Sequence, residues 1–381
     1  MRFHWFLPTA SDGRSLTVGT RGTHGPEPLA GEQKRVSADR FRAPTIGYLT
    51  QIAQAAEAAG FEAVLTPTGT WCEDAWITCA ALARETERLK FLVAFRPGLS
   101  SPTLIAQQAS TFQRLSRGRL MLNVVTGGER EEQARFGDHL DKAERYARTD
   151  EFLTVLRGAL SGMPLTFKGA YYDVAGATVL APPDPMPRLY FGGSSTPAGP
   201  VAARHTDTYL TWGEPPEQVA KKVAWIQGLA RQQGRTVSFG IRLHIITRDT
   251  SAEAWTAAAR LLDGLDPAHV ARVHNVLAAS ESTGQARMQA LTARFRDGSW
   301  SAPDLEVSPN LWAGVGLLRG GAGTALVGSH SEVADRIAQY ASLGIEEFIL
   351  SGFPHLEEAY MVGEGLLPEL RRRQLAPPIS R

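Results

Sequence analysis

An eight-stranded parallel βα barrel is the fold class this sequence predicts, and three observations predict it. Short apolar runs alternate with helix-patterned stretches along the whole chain, there are eight such runs, and no G-x-G-x-x-G follows the first of them. Strict alternation favours parallel strands with helices outside them. Eight repeats favour closure into a barrel. The missing glycine fingerprint removes the usual sign of an open doubly wound sheet, which is the structural alternative.

The candidate strands are residues 2–7, 62–67, 89–96, 119–126, 188–192, 207–212, 238–247 and 346–352. Between them apolar residues recur at three- and four-residue spacing. Ile46–Ala59 has this pattern and stops at Gly60, as helices often do. A second helix starts at Ser101-Pro102, with Ser as cap and Pro in the first turn. A third opens with Thr250 and Glu253 at capping-box spacing. Two connections are too long to be turns: residues 8–42, polar and mixed in charge, and residues 251–330, with two or three helices and then GVGLLRGGAGTALVG. Both leave the carboxyl end of a strand, where barrel enzymes carry their chemistry, so both are expected as lids, binding loops or plain insertions. Residues 1–370 are expected to form one barrel domain and 371–381 a solvated tail.

A chain of 381 residues with 43% apolar and 21% charged residues can bury a large core. Forty basic against thirty-nine acidic residues leave a formal charge of +1, which implies no nucleic-acid, polyanion or membrane-surface partner. No window approaches eighteen apolar residues, and MRFHWFLPTASDG lacks the pattern of a signal peptide. The two cysteines, Cys72 and Cys79, are spaced for neither a disulfide framework nor a metal and are expected at the start of one helix. The nine histidines show no clustered ligand spacing, so no metal site is expected. The expected setting is a reducing, cytoplasmic one.

In Gly240-Ile241-Arg242-Leu243-His244-Ile245, the period of two puts Ile241, Leu243 and Ile245 against the outer helices. Arg242 and His244 then point into the barrel. An interior Arg is costly unless it pairs with an interior carboxylate or meets an anion, and both readings stand. Tyr190-Phe191-Gly192-Gly193-Ser194-Ser195 runs from a strand into a helix. Its glycines, hydroxyls and helix start suit a phosphate, and they also suit a plain serine-capped turn. Asn123 faces inward by the same alternation. It needs partners from neighbouring backbone or from a ligand ring edge such as a flavin's. Arg319, flanked by glycines, either swings over a bound anion or is a surface residue of a flexible loop.

PTGTWCEDAW (67–76), NVVTGG (123–128), ERY (144–146), YFGGSS (190–195), YLTWGEPPE (209–217), FGIRLHII (239–246), SPNLWAGVGLLRGGAGTALVG (308–328) and SGFPHLEEAY (351–360) together resemble bacterial alkanesulfonate monooxygenases. These belong to the luciferase-like flavin-dependent barrels. The resemblance covers residues 3–8 and nearly all of 46–370. It implies a two-component enzyme: an NAD(P)H-dependent reductase supplies reduced FMN, O2 is co-substrate, and a small anionic substrate, a sulfonate, is cleaved to sulfite and an aldehyde. It also implies a homo-oligomer, dimer or tetramer. By the same comparison Arg242 and Arg319 clamp the sulfonate, while Trp212, His244, Phe353 and His355 line its pocket. Cys72 lies near the flavin or is structural, and Tyr146, Ser194 and Ser195 hold the FMN phosphate. Four departures accompany it. Phe353 stands where the family typically has Tyr, Ala10 where it has His, and Lys142-Ala143 where it has His-Ser. The first loop also carries an insertion near residues 19–42.

Overall fold

The computed structural model describes residues 1–16, 41–295 and 300–378. The insertion expected near residues 19–42 falls almost wholly outside them, as do the last three residues of the tail. Eight parallel strands close a barrel: β1 Arg2–Phe6, β2 Ala63–Thr66, β3 Lys90–Phe95, β4 Leu120–Val124, β5 Leu189–Phe191, β6 Thr208–Trp212, β7 Ser238–Arg248 and β8 Ile345–Ser351. Each pairs with the next, and β8 returns to β1 with Phe3 opposite Phe348. The predicted fold class is the observed one.

The alternation that predicts the strands also sorts their side chains. Phe6, Leu65, Leu92, Met121, Tyr190 and Ile349 pack together inside the barrel. Their neighbours in sequence, such as Trp5, Val64, Phe91, Leu122, Phe191 and Phe348, pack outward against the helices. The helix signals hold as well. Thr45 caps Ile46–Ala59, which ends at Gly60 in the left-handed region with φ 89°. Ser101 caps Pro102–Ser116, and Thr250 with Glu253 forms the capping box of Ser251–Leu262. Among the described residues no helix is long and apolar enough to cross a membrane.

Among the described residues of 251–330 are three α-helices, Ser251–Leu262, Pro267–Ala278 and Thr283–Thr292. The end of the glycine-rich run, expected as loop, forms a strand, Ala325–Ser329. It pairs in parallel with the outer half of β7, from His244 to Arg248. The insert has its own apolar core, in which Ile246 at the end of β7 meets Ala254, Val273, Leu305, Trp312 and Val327. That packing holds the insert over the carboxyl ends of the strands. A hairpin of Leu165–Lys168 with Asp173–Ala177, also unforeseen, sits between β4 and β5.

Cys72 corrects the expectation of one helix start carrying both cysteines. The helix is Ala75–Leu82, capped by Asp74, so Cys72 lies in the turn before it and only Cys79 is helical. The carboxylate of Asp74 competes successfully for the cap because it accepts the Ile77 N–H.

Candidate active site

At the carboxyl ends of the strands a cavity of about 230 Å³ opens between β4, β5, β6, β7 and the insert. Strand alternation supplies its floor: Phe6, Asn123, Leu210, Trp212, Arg242 and Ile349 all lie on inward positions and line it. Arg319 reaches it from the glycine-rich run.

The two arginines converge on one ring. The guanidinium carbon of Arg242 is 4.3 Å from the Phe6 centroid and that of Arg319 is 5.2 Å from it. Both side chains are buried. Arg242 Nη1 donates to Ser351 Oγ (2.8 Å) and to the Leu243 carbonyl (3.1 Å), whereas its Nη2 has no hydrogen-bond partner among the described residues. The sequence left an interior carboxylate open as its partner; a serine hydroxyl and a carbonyl stand there instead. Burial and the like charge of Arg319 push the Arg242 pKa well below its usual value. Two adjacent buried cations of this kind make the cavity strongly favourable to an anion.

The β5 turn forms the opposite end. Gly193 is wedged so that a Cβ there would sit 2.6 Å from Ala198 Cβ and 3.1 Å from the Tyr146 hydroxyl. The Tyr209 hydroxyl donates to the Gly193 carbonyl at 2.7 Å and fixes the turn. Gly192, Gly193, Ser194, Ser195 and Tyr146 all line the cavity. Ser195 Oγ is buried beside the Tyr146 hydroxyl without a hydrogen-bond partner of normal geometry. Burial raises the Tyr146 pKa, so the phenol stays a donor.

Sequence reasoning missed part of the wall. Trp71 lines it with its indole N–H buried and unsatisfied, and so does Thr126 with its hydroxyl. The Thr126 carbonyl accepts from Gln133, which in turn is bonded to Arg96 (2.8 Å each), so the segment after β4 is held by a buried network. Ser282, Thr283 and Gln285, from the start of a helix in the insert, close the rim. No local signal in the sequence marks them. Lys142, noted only as a departure, lines the cavity and ties the rim together by donating to the Glu281 carbonyl (2.7 Å) and Thr283 Oγ1 (3.4 Å). Burial lowers its pKa despite Glu281.

Four expected site residues are not on the cavity wall. Cys72 turns its thiol to the Gly69 carbonyl. His244, Phe353 and His355 adjoin wall residues, His244 through Ser351 to Arg242 and His355 against Phe6, with Phe353 between the two imidazoles. The ring of Phe6, which lines the cavity, packs against His355 with centroids 5.7 Å apart. Among the described residues no group of three His, Cys, Asp or Glu side chains converges as metal ligands would.

A barrel with a cavity at its carboxyl face, walled by two buried arginines and a glycine-serine turn, is the class this fold and site define. Residues 1–347 match the luciferase-like monooxygenase family, and the chain belongs to it. Solved structures share the fold at low identity. Riboflavin lyase RcaE, crystallised with modified FMN and riboflavin, is 21% identical with a TM-score of 0.78, covering 100% of this chain and 94% of its own. DmoA from Hyphomicrobium sulfonivorans is 19% identical with a TM-score of 0.76 over 100% and 89%. The EDTA monooxygenase EmoA from Chelativorans sp. BNC1 is 19% identical with a TM-score of 0.73 over 99% and 95%.

Proposed function

We propose that this chain is the oxygenating component of a two-component monooxygenase that uses reduced FMN and O2 to oxidise an alkanesulfonate, releasing sulfite and an aldehyde. The observation that carries the reading is the pair Arg242 and Arg319, both buried and both over the Phe6 ring, with Arg242 Nη2 lacking a partner among the described residues. A sulfonate offers three oxygens to such a pair, and its negative charge offsets the repulsion between them. Phe6, Leu210 and Trp212 would hold the alkyl chain.

The residues present fit the cofactor. Ser194, Ser195 and Tyr146 would hold the phosphate, with Gly192 and Gly193 letting the backbone approach, and the unsatisfied hydroxyl of Ser195 supports this. Asn123, with the unsatisfied Thr126 hydroxyl and Trp71 indole, would meet the ring edge. Reduced FMN, when bound, supplies the electrons that activate O2. The chain's part is to place the sulfonate carbon and exclude water. RcaE, as solved with modified FMN, supports FMN as the flavin, and an NAD(P)H-dependent reductase would supply it.

Sulfite release from a panel of alkanesulfonates, measured with FMN, O2 and a reductase, tests the reading; flavin reoxidation without sulfite from any of them overturns the sulfonate. The turn has its own test. Gly193→Ala places a methyl group within 3.1 Å of two neighbours, an overpacking worth about 1–3 kcal/mol. It should weaken reduced-FMN binding about tenfold or more in an anaerobic fluorescence titration.

A second reading keeps the flavin and changes the anion to a carboxylate, a phosphonate or another organosulfur metabolite. The stack of Phe353 on His244 favours it, because an apolar ring stands where the resemblance leads one to expect a phenol. Turnover of such acids in the same assay, without sulfite, would be its signature.

A further inference from the structure

Two imidazoles flank the Phe353 ring. His244 stacks on it with centroids 5.3 Å apart and planes at 10°, and His355 meets its edge at 5.4 Å and 76°. Each residue is 1% exposed, and each has an Nε2 without a hydrogen bond of normal geometry. What differs is the partner at Nδ1.

His355 Nδ1 lies 2.9 Å from Asp12 Oδ1. Asp12 is buried and already accepts three other hydrogen bonds: from Gly13 N–H (2.8 Å), His355 N–H (2.8 Å) and the Tyr48 hydroxyl (2.6 Å). Burial opposes its ionisation, but His355 and these donors outweigh that and hold the carboxyl below its usual range. An ionised carboxylate only accepts. The proton between them therefore belongs to Nδ1, and His355 Nε2 carries a lone pair.

At His244 the sense reverses. The guanidinium of Arg242 donates to Ser351 Oγ, which lies 2.7 Å from His244 Nδ1 and keeps a hydrogen of its own to donate there. The ring also faces the backbone of Ala322, on the cavity wall, which favours a proton on the imidazole there; this assigns the His244 proton to Nε2 and leaves Nδ1 to accept from Ser351.

We propose that Asp12 and Ser351 are positioning residues that hold His355 and His244 in opposite neutral tautomers, so that one lone pair and one N–H flank Phe353 beside the anion pocket. Next to the wall residues Phe6, Arg242 and Ala322, the pair then offers a lone pair and an N–H that Phe353 itself lacks. In use, His355 Nε2 would take up the proton that the sulfonate-bearing carbon loses as it becomes the aldehyde and release it from the same nitrogen to water, while Asp12 stays ionised. This use rests on the reading of the Arg242 pocket as the substrate site; the tautomers do not. The charges that face the pair are Arg242 and Arg319 from the cavity side. Behind Asp12 stand the phenol of Tyr48, Arg42 bonded to it at 2.9 Å, and Glu357, which Arg42 grips with both nitrogens. Burial and the two front arginines hold both imidazoles below their usual pKa, with Asp12 opposing at His355, so both are neutral near pH 7.

The test is long-range 1H–15N correlation on the full chain labelled at histidine, with resonances assigned from His244→Gln and His355→Gln. We expect a protonated Nδ1 and bare Nε2 at His355, and the reverse at His244. In Asp12→Ala the His355 ring should revert to the Nε2–H form that free histidine prefers. Equal tautomers in the two wild-type rings, or a proton on His355 Nε2, overturn the proposal, and that arm needs no variant to fold and no substrate. In turnover, Asp12→Ala should lower kcat/KM for sulfite release at least tenfold and move its acidic limb to lower pH, because loss of the carboxylate makes the imidazole less basic. An unmoved limb beside the expected tautomers would remove the base role. Absence of sulfite in the wild type would overturn the sulfonate reading instead and leave the tautomers standing.

Discussion

Arg242→Met is expected to abolish tight anion binding while leaving the folded chain as stable as before, or more stable. The two effects have one cause. Arg242 is buried beside Arg319, and its pKa is pushed down by burial and by that like charge. In the free protein the guanidinium is thus a desolvated charge offset by a hydroxyl, a carbonyl and the face of Phe6 rather than by a carboxylate. Replacing such a group with an apolar side chain of similar length is commonly neutral or stabilising. Once an anion occupies the cavity, the balance inverts, since truncating one partner of a buried charge pair costs about 2–5 kcal/mol. For a sulfonate substrate the KM should rise by roughly a hundredfold or more, read from sulfite release. A long-chain alkanesulfonate should raise the thermal midpoint of the wild type and leave that of the variant unmoved. A variant that unfolds markedly more easily yet keeps its KM would show that Arg242 serves the fold and not the ligand.

The reach of sequence reasoning follows from the same strand. The alternation Ile241, Leu243, Ile245 is a local pattern, and it correctly turned Arg242 and His244 inward, since a barrel strand has only two faces. Asn123 was turned inward for the same reason, whereas the turn at 192–195 was read from its glycines, its hydroxyls and the helix start that follows. What pairs with an inward residue is not local. Ser351, which links Arg242 to His244, is 109 residues from the first and 107 from the second, and Asp12 meets His355 across 343 residues. Phe6 could have been placed by the alternation of Phe3, Trp5 and Leu7, yet nothing in the first strand says that two cations will rest on its ring. The resemblance brought His355, Phe353 and Cys72 to the site by motif. The structure packs His355 against Phe6 and turns the Cys72 thiol to the Gly69 carbonyl, contacts that the neighbouring strands and loops decide and no local pattern shows.

Glu347→Gln addresses the other end of the barrel and should destabilise the protein by about 3 kcal/mol at pH 7 without touching turnover. Glu347 is fully buried at the amino ends of the strands, where His4 Nε2 (2.9 Å) and the Tyr190 hydroxyl (2.8 Å) bond one of its oxygens while Arg2, Thr208 and Arg188 approach the other. Burial opposes its ionisation, but the hydrogen bond and charge of His4, the charge of Arg2 and the Tyr190 bond prevail, so the carboxyl titrates at about 2 instead of 4.5. A depressed pKa contributes stability that is whole above the unfolded value of 4.5 and fades as the pH falls toward 2. Urea unfolding of wild type and variant should therefore differ most near neutrality and converge between pH 4.5 and 2. An amide cannot replace the carboxylate, because its nitrogen donates where a donor already points. Arg2 and Arg188, each about one-third exposed, can turn to water in the variant, which keeps the loss near the lower end of what a broken buried pair costs. The layer of Phe6, Leu65, Leu92, Met121 and Ile349 separates this cluster from the cavity, so kcat and KM at 25 °C should stay at wild-type values. A gap between the two proteins that persists unchanged down to pH 2 would assign the loss to packing instead of to charge.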